Sequence, residues 1–466
     1  MPQVQFLTNK FLLMDIIEKN QKRMVELAKE NPKLAKQTEN LDWNELRKAL
    51  DQCLSPSGET SIPLEYGPAS YLPISPESPD QKAQYEKAFK HGEQLIRDGK
   101  TATFTVAGGQ GTRLGYDGPK GTLPVSPIKK KPLFQLFAEQ ILGMSEKYGV
   151  TIPWYIMGSP LNLEATHAHF EENNYYGLGK ENIKFFAQGV MPATDFNGNL
   201  LRTSEDSLAF SPNGHGGSLK ALIDSGSIAD MADKGIEHIS YFQVDNPLVS
   251  AINPLFIGLH DLHKSDMSSR SLTKTGPFEK LGNFVAIGER VTIIEYSDLP
   301  EEKALEKETC GRIKYRAGSP AIHILRRDFI EQFASGKINL PYHRAEKKVP
   351  FITDNGDLVN PEKPNAIKFE TFVFDALPFA KNPLILEAER LEEFSPVKNM
   401  TGTDSLESSQ ADQTRRAHKW LSQAGYKTKD SSIVEICSFS YPSARDLLEA
   451  DLSDHDLNAN KIYINK

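Results

Sequence analysis

The chain has 466 residues, which is enough for two or three domains and too many for one compact core. A quarter of the residues are charged and the formal net charge is −8, which excludes a general nucleic-acid surface and leaves any basic pocket as a local device for a small polyanion. Cys53, Cys310 and Cys437 are odd in number and widely separated, so they read as reduced thiols, neither a disulfide framework nor a metal cluster.

The first 20 residues mix Lys10, Asp15, Glu18 and Lys19 into their apolar positions, and no run reaches the roughly 20 apolar residues of a membrane span. A cytoplasmic protein without membrane or nucleic-acid partners is therefore expected. From Asp15 to Leu54, apolar residues such as Ile17, Met24, Leu34, Leu46 and Leu50 recur at helical spacing among Lys, Glu and Gln, which predicts an amphipathic helical N-terminal region. Residues 55–80 are rich in Pro, Ser, Gly and Glu and read as an irregular linker before a helix over 81–97.

From 104 onward, β-rich runs alternate with helical patterns: 104–107, 133–147, 154–157, 163–172, 183–186, 219–223, 238–244 and 254–263. This alternation predicts a mainly parallel sheet covered by helices. Ligands of such sheets bind beyond the carboxyl ends of strands, where both a glycine-rich loop after 104–107 and Asp245 after 239–244 fall. Runs at 283–288 and 291–296 form a hairpin through Gly288-Glu289-Arg290, with Glu295 and Tyr296 at its exit. Beyond 383–387 the polar stretch 400–412 reads as a loop, followed by a helix over 411–423 and a short β-rich tail.

The loop, Ala107-Gly-Gly-Gln-Gly-Thr-Arg-Leu-Gly115 followed by Pro119-Lys120-Gly121, is suited to a phosphate chain. Glycines 108, 109 and 111 leave the backbone free to take positive φ and let its N–H groups approach a ligand, while Arg113 and Lys120 bring charge. It is neither a dinucleotide fingerprint, because Gly109, Gly111 and Gly115 read G-x-G-x-x-x-G, nor a P-loop, because Pro-Lys-Gly replaces Gly-Lys-Ser/Thr. A tight turn with surface cations has the same glycine content. Asp245 likewise has two readings, a metal ligand or a turn or cap residue, since Asp-Asn-Pro suits a turn and Pro254 starts a helix soon after.

The order of residues in this loop resembles the signature of the eukaryotic-type UDP-sugar pyrophosphorylases. The resemblance continues through Gln188-Gly-Val-Met-Pro-Ala193, Asn213-Gly-His-Gly-Gly217, Val244-Asp-Asn-Pro247, Ile294-Glu-Tyr-Ser297, Pro364-Asn-Ala-Ile-Lys368, Phe372-Val-Phe-Asp375 and Glu393-Phe-Ser-Pro-Val-Lys-Asn399. It covers roughly residues 90–400, and the nearest branch is the UDP-N-acetylhexosamine pyrophosphorylases. It implies a Rossmann-like α/β nucleotidyltransferase domain at 91–390, between a helical N-terminal region at 1–90 and a small C-terminal α+β domain at 391–466. The implied reaction joins a sugar 1-phosphate to UTP by in-line attack on the α-phosphorus, giving a UDP-sugar and pyrophosphate. Such chemistry depends on positioning and charge neutralisation.

By the same resemblance, Arg113 and Lys120 hold the triphosphate and stabilise the leaving pyrophosphate. Lys398 reaches the phosphates from the far side, and Lys368 contacts the nucleotide. Gly108, Gly109, Gln110 and Gly111 form the nucleotide loop, with Gln188 pairing with uracil and Gly214 lying close to the nucleoside. Asp245 holds Mg²⁺ or another divalent cation, and Glu295, Tyr296 and Lys398 face the sugar. The oligomeric state is left open, with a monomer as the simplest form.

Sugar recognition departs from the branch at two positions. His215 stands where N-acetylhexosamine enzymes carry Asn and is similar to the UDP-glucose and broad-range enzymes, and Ser319 stands where an Asn contacts the sugar. A hydroxyl does not reproduce an amide's donor and acceptor at the same reach. A UDP-glucose or broad-range pyrophosphorylase is therefore an alternative, and a binding protein without turnover is another.

Overall fold

A computed structural model describes residues 2–54 and 65–466, so residues 55–64 of the expected linker lie outside the described residues. The chain forms two compact units, each assembled from three separate stretches. The first comprises Met1–Leu64, Gln188–Lys220 and Asn339–Asp375, and the second Glu65–Ala187, Ala221–Ile338 and Ala376–Lys466.

In the first unit the N-terminal region is three helices, Pro2–Ala28, Pro32–Glu39 and Trp43–Leu54. Asn31 starts the second by accepting the Leu34 N–H at 3.1 Å, ahead of a proline that has no N–H to lose. The predicted apolar stripe, with Ile17, Met24, Leu34, Leu46 and Leu50, is buried together with Leu13, Met191, Leu200, Leu208, Tyr342, Ile367 and Phe369. These helices thus complete a core with residues more than a hundred positions away in sequence. The antiparallel pair His343–Lys347 and Ala366–Glu370 carries Lys368 opposite Ala345.

The second unit is built on a mixed sheet that has eleven strands among the described residues. Thr101–Val106 lies between His238–Gln243 and Trp154–Gly158, parallel to both, with Ile183–Ala187 parallel to the last. Five of the six residues of Thr101–Val106 are buried, as expected where helices cover both faces. His323–Arg326 then runs antiparallel between His238–Gln243 and Met267–Thr273, and Leu384–Ala388 is parallel to Met267–Thr273. Two successive reversals restore direction. The carboxyl ends of Thr101–Val106, His238–Gln243, Met267–Thr273 and Leu384–Ala388 therefore all point the same way.

Helices Pro79–Arg97, Leu133–Tyr148, Leu163–Glu172 and Pro254–Leu262 fall where the periodicity places them. One boundary differs: the helix expected over 411–423 runs Leu406–Gln423. Ser405 caps it, accepting the Ser408 N–H at 3.2 Å while the Ser408 hydroxyl accepts the Ser405 N–H at 2.9 Å. Serines that look loop-like in sequence form a capping box. The tail adds a parallel pair, Ile433–Ile436 and Lys461–Ile464, packed with this helix around Leu421, Val434, Leu447 and Ile462. No helix among the described residues is long and apolar enough to cross a membrane.

Candidate active site

The glycine loop leaves Thr101–Val106 and turns back on itself: Gly111 N–H donates to Gly118 O at 2.9 Å and Lys120 N–H to Gly109 O at 3.1 Å. This places Lys120 beside Gly109, with Gln110 bridged to Pro119. The reading of positive φ at 108, 109 and 111 needs correcting, because Gly115 at 66° and Gly118 at 154° are the loop glycines with positive φ. Gly111 is required for a different reason: a Cβ there would lie 2.7 Å from the Tyr116 ring. Asn162, which no sequence motif singles out, clamps the loop. It is fully buried and its Nδ2 donates to Ala107 O at 3.0 Å and Gly109 O at 3.2 Å.

Asp245 follows His238–Gln243, whose Gln243 is level with Val106 on the neighbouring strand. Its Oδ2 lies 3.5 Å from Lys120 Nζ, and both side chains are largely buried. The cap reading of Asp245 fails because Asn253 caps the Pro254 helix, accepting the Phe256 N–H at 3.0 Å. Val397 N–H donates to Asp245 O at 2.8 Å, which ties the Lys398 segment to the same strand end. A Cβ on Gly115 would lie 3.6 Å from Met400, so this segment also meets the glycine loop. Arg113 is exposed in the Thr112–Leu114 turn and has no hydrogen-bond or charged partner among the described residues.

A second carboxylate joins the group. Asp404 takes a left-handed φ of 57° and its carbonyl accepts the N–H groups of Lys398 at 2.6 Å and Asn399 at 2.9 Å. Burial pushes its carboxyl above the ordinary range, Lys398 opposes this, and the Asp245 charge adds to it. No group of three or more His, Cys, Asp or Glu side chains suited to a metal occurs among the described residues. A donor set of one or two carboxylates completed by phosphate oxygens and water is how Mg²⁺ binds beside a nucleotide, so these residues fit that ion.

Glu295, Tyr296 and Ser319, which the resemblance assigns to the sugar, also meet in the second unit. Gly282–Ile287 and Arg290–Ile294 form the predicted hairpin, and Gly282 pairs on its other side with Ser319. Glu295 follows directly, and a Cβ on Gly282 would come within 3.4 Å of its Oε1. Glu295 and Ser319 therefore flank Gly282 level with the carboxyl end of Met267–Thr273, and Tyr296 is exposed beside them. Ser319 Oγ is turned onto its own backbone, accepting the Ala321 N–H at 3.3 Å.

In the first unit, Gln188 Nε2 donates to Gly214 O at 2.7 Å, which leaves the Gln188 carbonyl oxygen as an acceptor. Gly214 has φ 79°, and a Cβ there would lie 2.3 Å from Thr371 O, so no other residue fits without moving the backbone. His215 stacks near Phe372 and Phe374, and its Nδ1 accepts the Val373 N–H at 3.2 Å. The ring is neutral with its proton on Nε2, because burial first and the neighbouring His343 second lower its pKa to about 4. The Lys368 side chain is half-buried without a hydrogen-bond or charged partner among the described residues.

This shift has a sign that can be tested. An unfolded chain takes up a proton on His215 near its ordinary 6.5 and the folded unit only near 4, so His215 favours the folded state less and less as pH falls between these values. His215→Asn is expected to lose less Tm than the parent between pH 7 and pH 5, as differential scanning fluorimetry would read. Parallel Tm curves would remove His215 from the acid sensitivity.

Residues 70–438 match the family model described as UTP--glucose-1-phosphate uridylyltransferase. The chain is 38% identical over 363 residues to the UDP-N-acetylglucosamine pyrophosphorylase of Saccharomyces cerevisiae, covering 74% of this chain and 75% of the yeast protein. It is 34% identical over 409 residues to UDP-N-acetylglucosamine diphosphorylase 2 of Arabidopsis thaliana, covering 84% of this chain and 80% of the plant protein. Its fold matches the crystal structure of the uridine diphosphate N-acetylglucosamine pyrophosphorylase from Trypanosoma brucei in complex with inhibitor, with TM-score 0.82, 23% identity and 98% of each chain covered. With its glycine loop, Asp245 and the Lys398 segment meeting at one end of the sheet, the chain belongs to the UTP–glucose-1-phosphate uridylyltransferase family.

Proposed function

We propose that the protein is a uridylyltransferase that joins UTP to N-acetylglucosamine 1-phosphate or a related hexose 1-phosphate, releasing pyrophosphate. The observation that carries this reading is the meeting of Lys120, Asp245 and the Lys398 segment, with Lys120 Nζ 3.5 Å from Asp245 and Val397 bonded to the Asp245 carbonyl. Two polyanions that must approach each other need cations on both sides and little else.

Lys120 and Arg113 hold the β- and γ-phosphates and take up the charge that develops on pyrophosphate as it leaves. Lys398 orients the sugar phosphate for in-line attack, held in place by its backbone bond to Asp404. Asp245, with Asp404 beside it, holds Mg²⁺, which when bound neutralises phosphate charge. In the first unit, the Gln188 carbonyl oxygen accepts from a uracil N–H, and Lys368 supplies a further cation. Glu295 and Tyr296 take the sugar hydroxyls. The three free cysteines suit a reducing compartment, and we place the reaction in the cytoplasm.

Because a Ser319 hydroxyl has neither the reach nor the paired donor and acceptor of an Asn amide, it leaves one sugar contact of the N-acetylhexosamine branch unmade. Ser319→Asn is expected to raise the preference for N-acetylglucosamine 1-phosphate over glucose 1-phosphate by about tenfold, the worth of one hydrogen bond in a buried pocket. Competition assays of pyrophosphate release from UTP with a panel of sugar 1-phosphates test both the reading and the specificity. A parent already strict for the N-acetylated sugar would overturn the specificity argument, and release with no member of the panel would overturn the activity.

A further inference from the structure

Asn246, Arg270, Glu393 and Ser395 form a buried polar network outside the phosphate-handling group, and each is no more than 5% exposed. Arg270 Nη2 donates to Glu393 Oε1 at 2.6 Å, and the guanidinium lies 4.8 Å from the centre of the Phe256 ring. Glu393 Oε2 accepts the Ser250 N–H at 3.3 Å, while the Glu393 carbonyl accepts from Asn246 Nδ2 at 2.6 Å. The Asn246 side-chain Oδ1 in turn accepts the N–H groups of Ser395 at 3.0 Å and Leu248 at 3.3 Å. Arg416 donates to Leu248 O at 2.8 Å and Glu392 O at 3.2 Å.

Most of these bonds tie the same two segments to each other, to the strand Met267–Thr273 or to the helix Leu406–Gln423. One is 245–250, which begins with Asp245, and the other is 392–397, which leads into Lys398. A charge pair this deeply buried is weak as a source of stability, because two ions must be desolvated to make it, and one known use of such a pair is to fix a single arrangement. Hydrophobic residues of similar size would hold two segments together at least as well. They would not fix register, because apolar contacts are non-directional.

We infer that Glu393 and Arg270 are positioning residues for uridylyl transfer, setting the spacing between Asp245 and Lys398 without touching substrate. This rests on the roles proposed above for Asp245 and Lys398. Cutting the network lets the two segments slide, and a misplacement of about 1 Å at a reacting group costs on the order of a hundredfold in rate. The effect falls on kcat and on metal affinity, because both depend on the two segments together, and spares UTP binding through the glycine loop.

The test uses Glu393→Gln, which keeps the shape and loses the charge, and the double variant Arg270→Met with Glu393→Leu, which removes both charges and keeps the volume where an orphaned guanidinium would unfold the chain. The expected result is a folded protein with Tm near the parent's and KM for UTP little changed. Its kcat is expected to fall about a hundredfold, and Mn²⁺ binding to the UTP-loaded protein, followed by electron paramagnetic resonance, to weaken. A folded double variant with the parent's kcat and Mn²⁺ affinity would overturn the inference. Asp245→Asn and Lys398→Ala serve as controls: if they leave turnover intact, the reading of the site fails, whereas if they abolish it and the double variant does not, only the positioning role fails.

Discussion

Lys120→Ala is expected to lower kcat by about 10²–10³ while weakening UDP-sugar binding by much less. Without substrate, Lys120 Nζ faces Asp245 at 3.5 Å from a side chain that is 16% exposed, so it is held against Asp245 instead of ranging through solvent. Its backbone is fixed by the bond from its own N–H to Gly109 O. A UDP-sugar lacks the departing pyrophosphate, so the ammonium has less charge to meet in that complex than in the transition state. Steady-state kinetics together with calorimetric UDP-sugar titration reads the two effects separately. Equal losses in both would make Lys120 a general anchor and not a leaving-group stabiliser.

Asp245→Asn is the second large effect, and it runs in opposite directions for metal and nucleotide. Turnover is expected to fall about a thousandfold, with the Mg²⁺ concentration needed for half-maximal rate rising. Metal-free UTP is expected to bind at least as tightly as to the parent. A carboxylate that faces a triphosphate repels it until a cation intervenes, and the amide removes that repulsion while freeing Lys120 from its partner at 3.5 Å. Weaker metal-free UTP binding would show that Asp245 holds the loop in shape and does not hold an ion.

The sequence carried what depends on local pattern. The strand before the glycine loop, the Gly288-Glu289-Arg290 hairpin and the position of Asp245 at a strand end all follow from short-range alternation and turn chemistry, and each is found where expected. Asn162 was invisible because an Asn before a helix reads as a cap, and its two bonds to Ala107 and Gly109 reach back more than fifty residues. Glu393 could be read only as part of a motif leading to Lys398, since its partner Arg270 is 123 residues earlier on the strand Met267–Thr273. The grouping of the N-terminal helices with 188–220 and 339–375 has the same origin: an amphipathic stripe shows that a helix is covered, but not by what. The glycines failed in a more local way. Their positions were right, but which of them takes positive φ is set by the fold-back from Gly111 to Gly118, which composition does not encode.

Direct transfer of a uridylyl group to a sugar phosphate can be followed by phosphorus-31 NMR of one reaction mixture. With UTP, N-acetylglucosamine 1-phosphate and Mg²⁺, UDP-sugar and pyrophosphate resonances are expected to grow in equal amounts, with no loss of UTP when the sugar phosphate is omitted. A protein that binds UDP-sugars yet leaves both substrates unchanged, or one that hydrolyses UTP without the sugar phosphate, would contradict it.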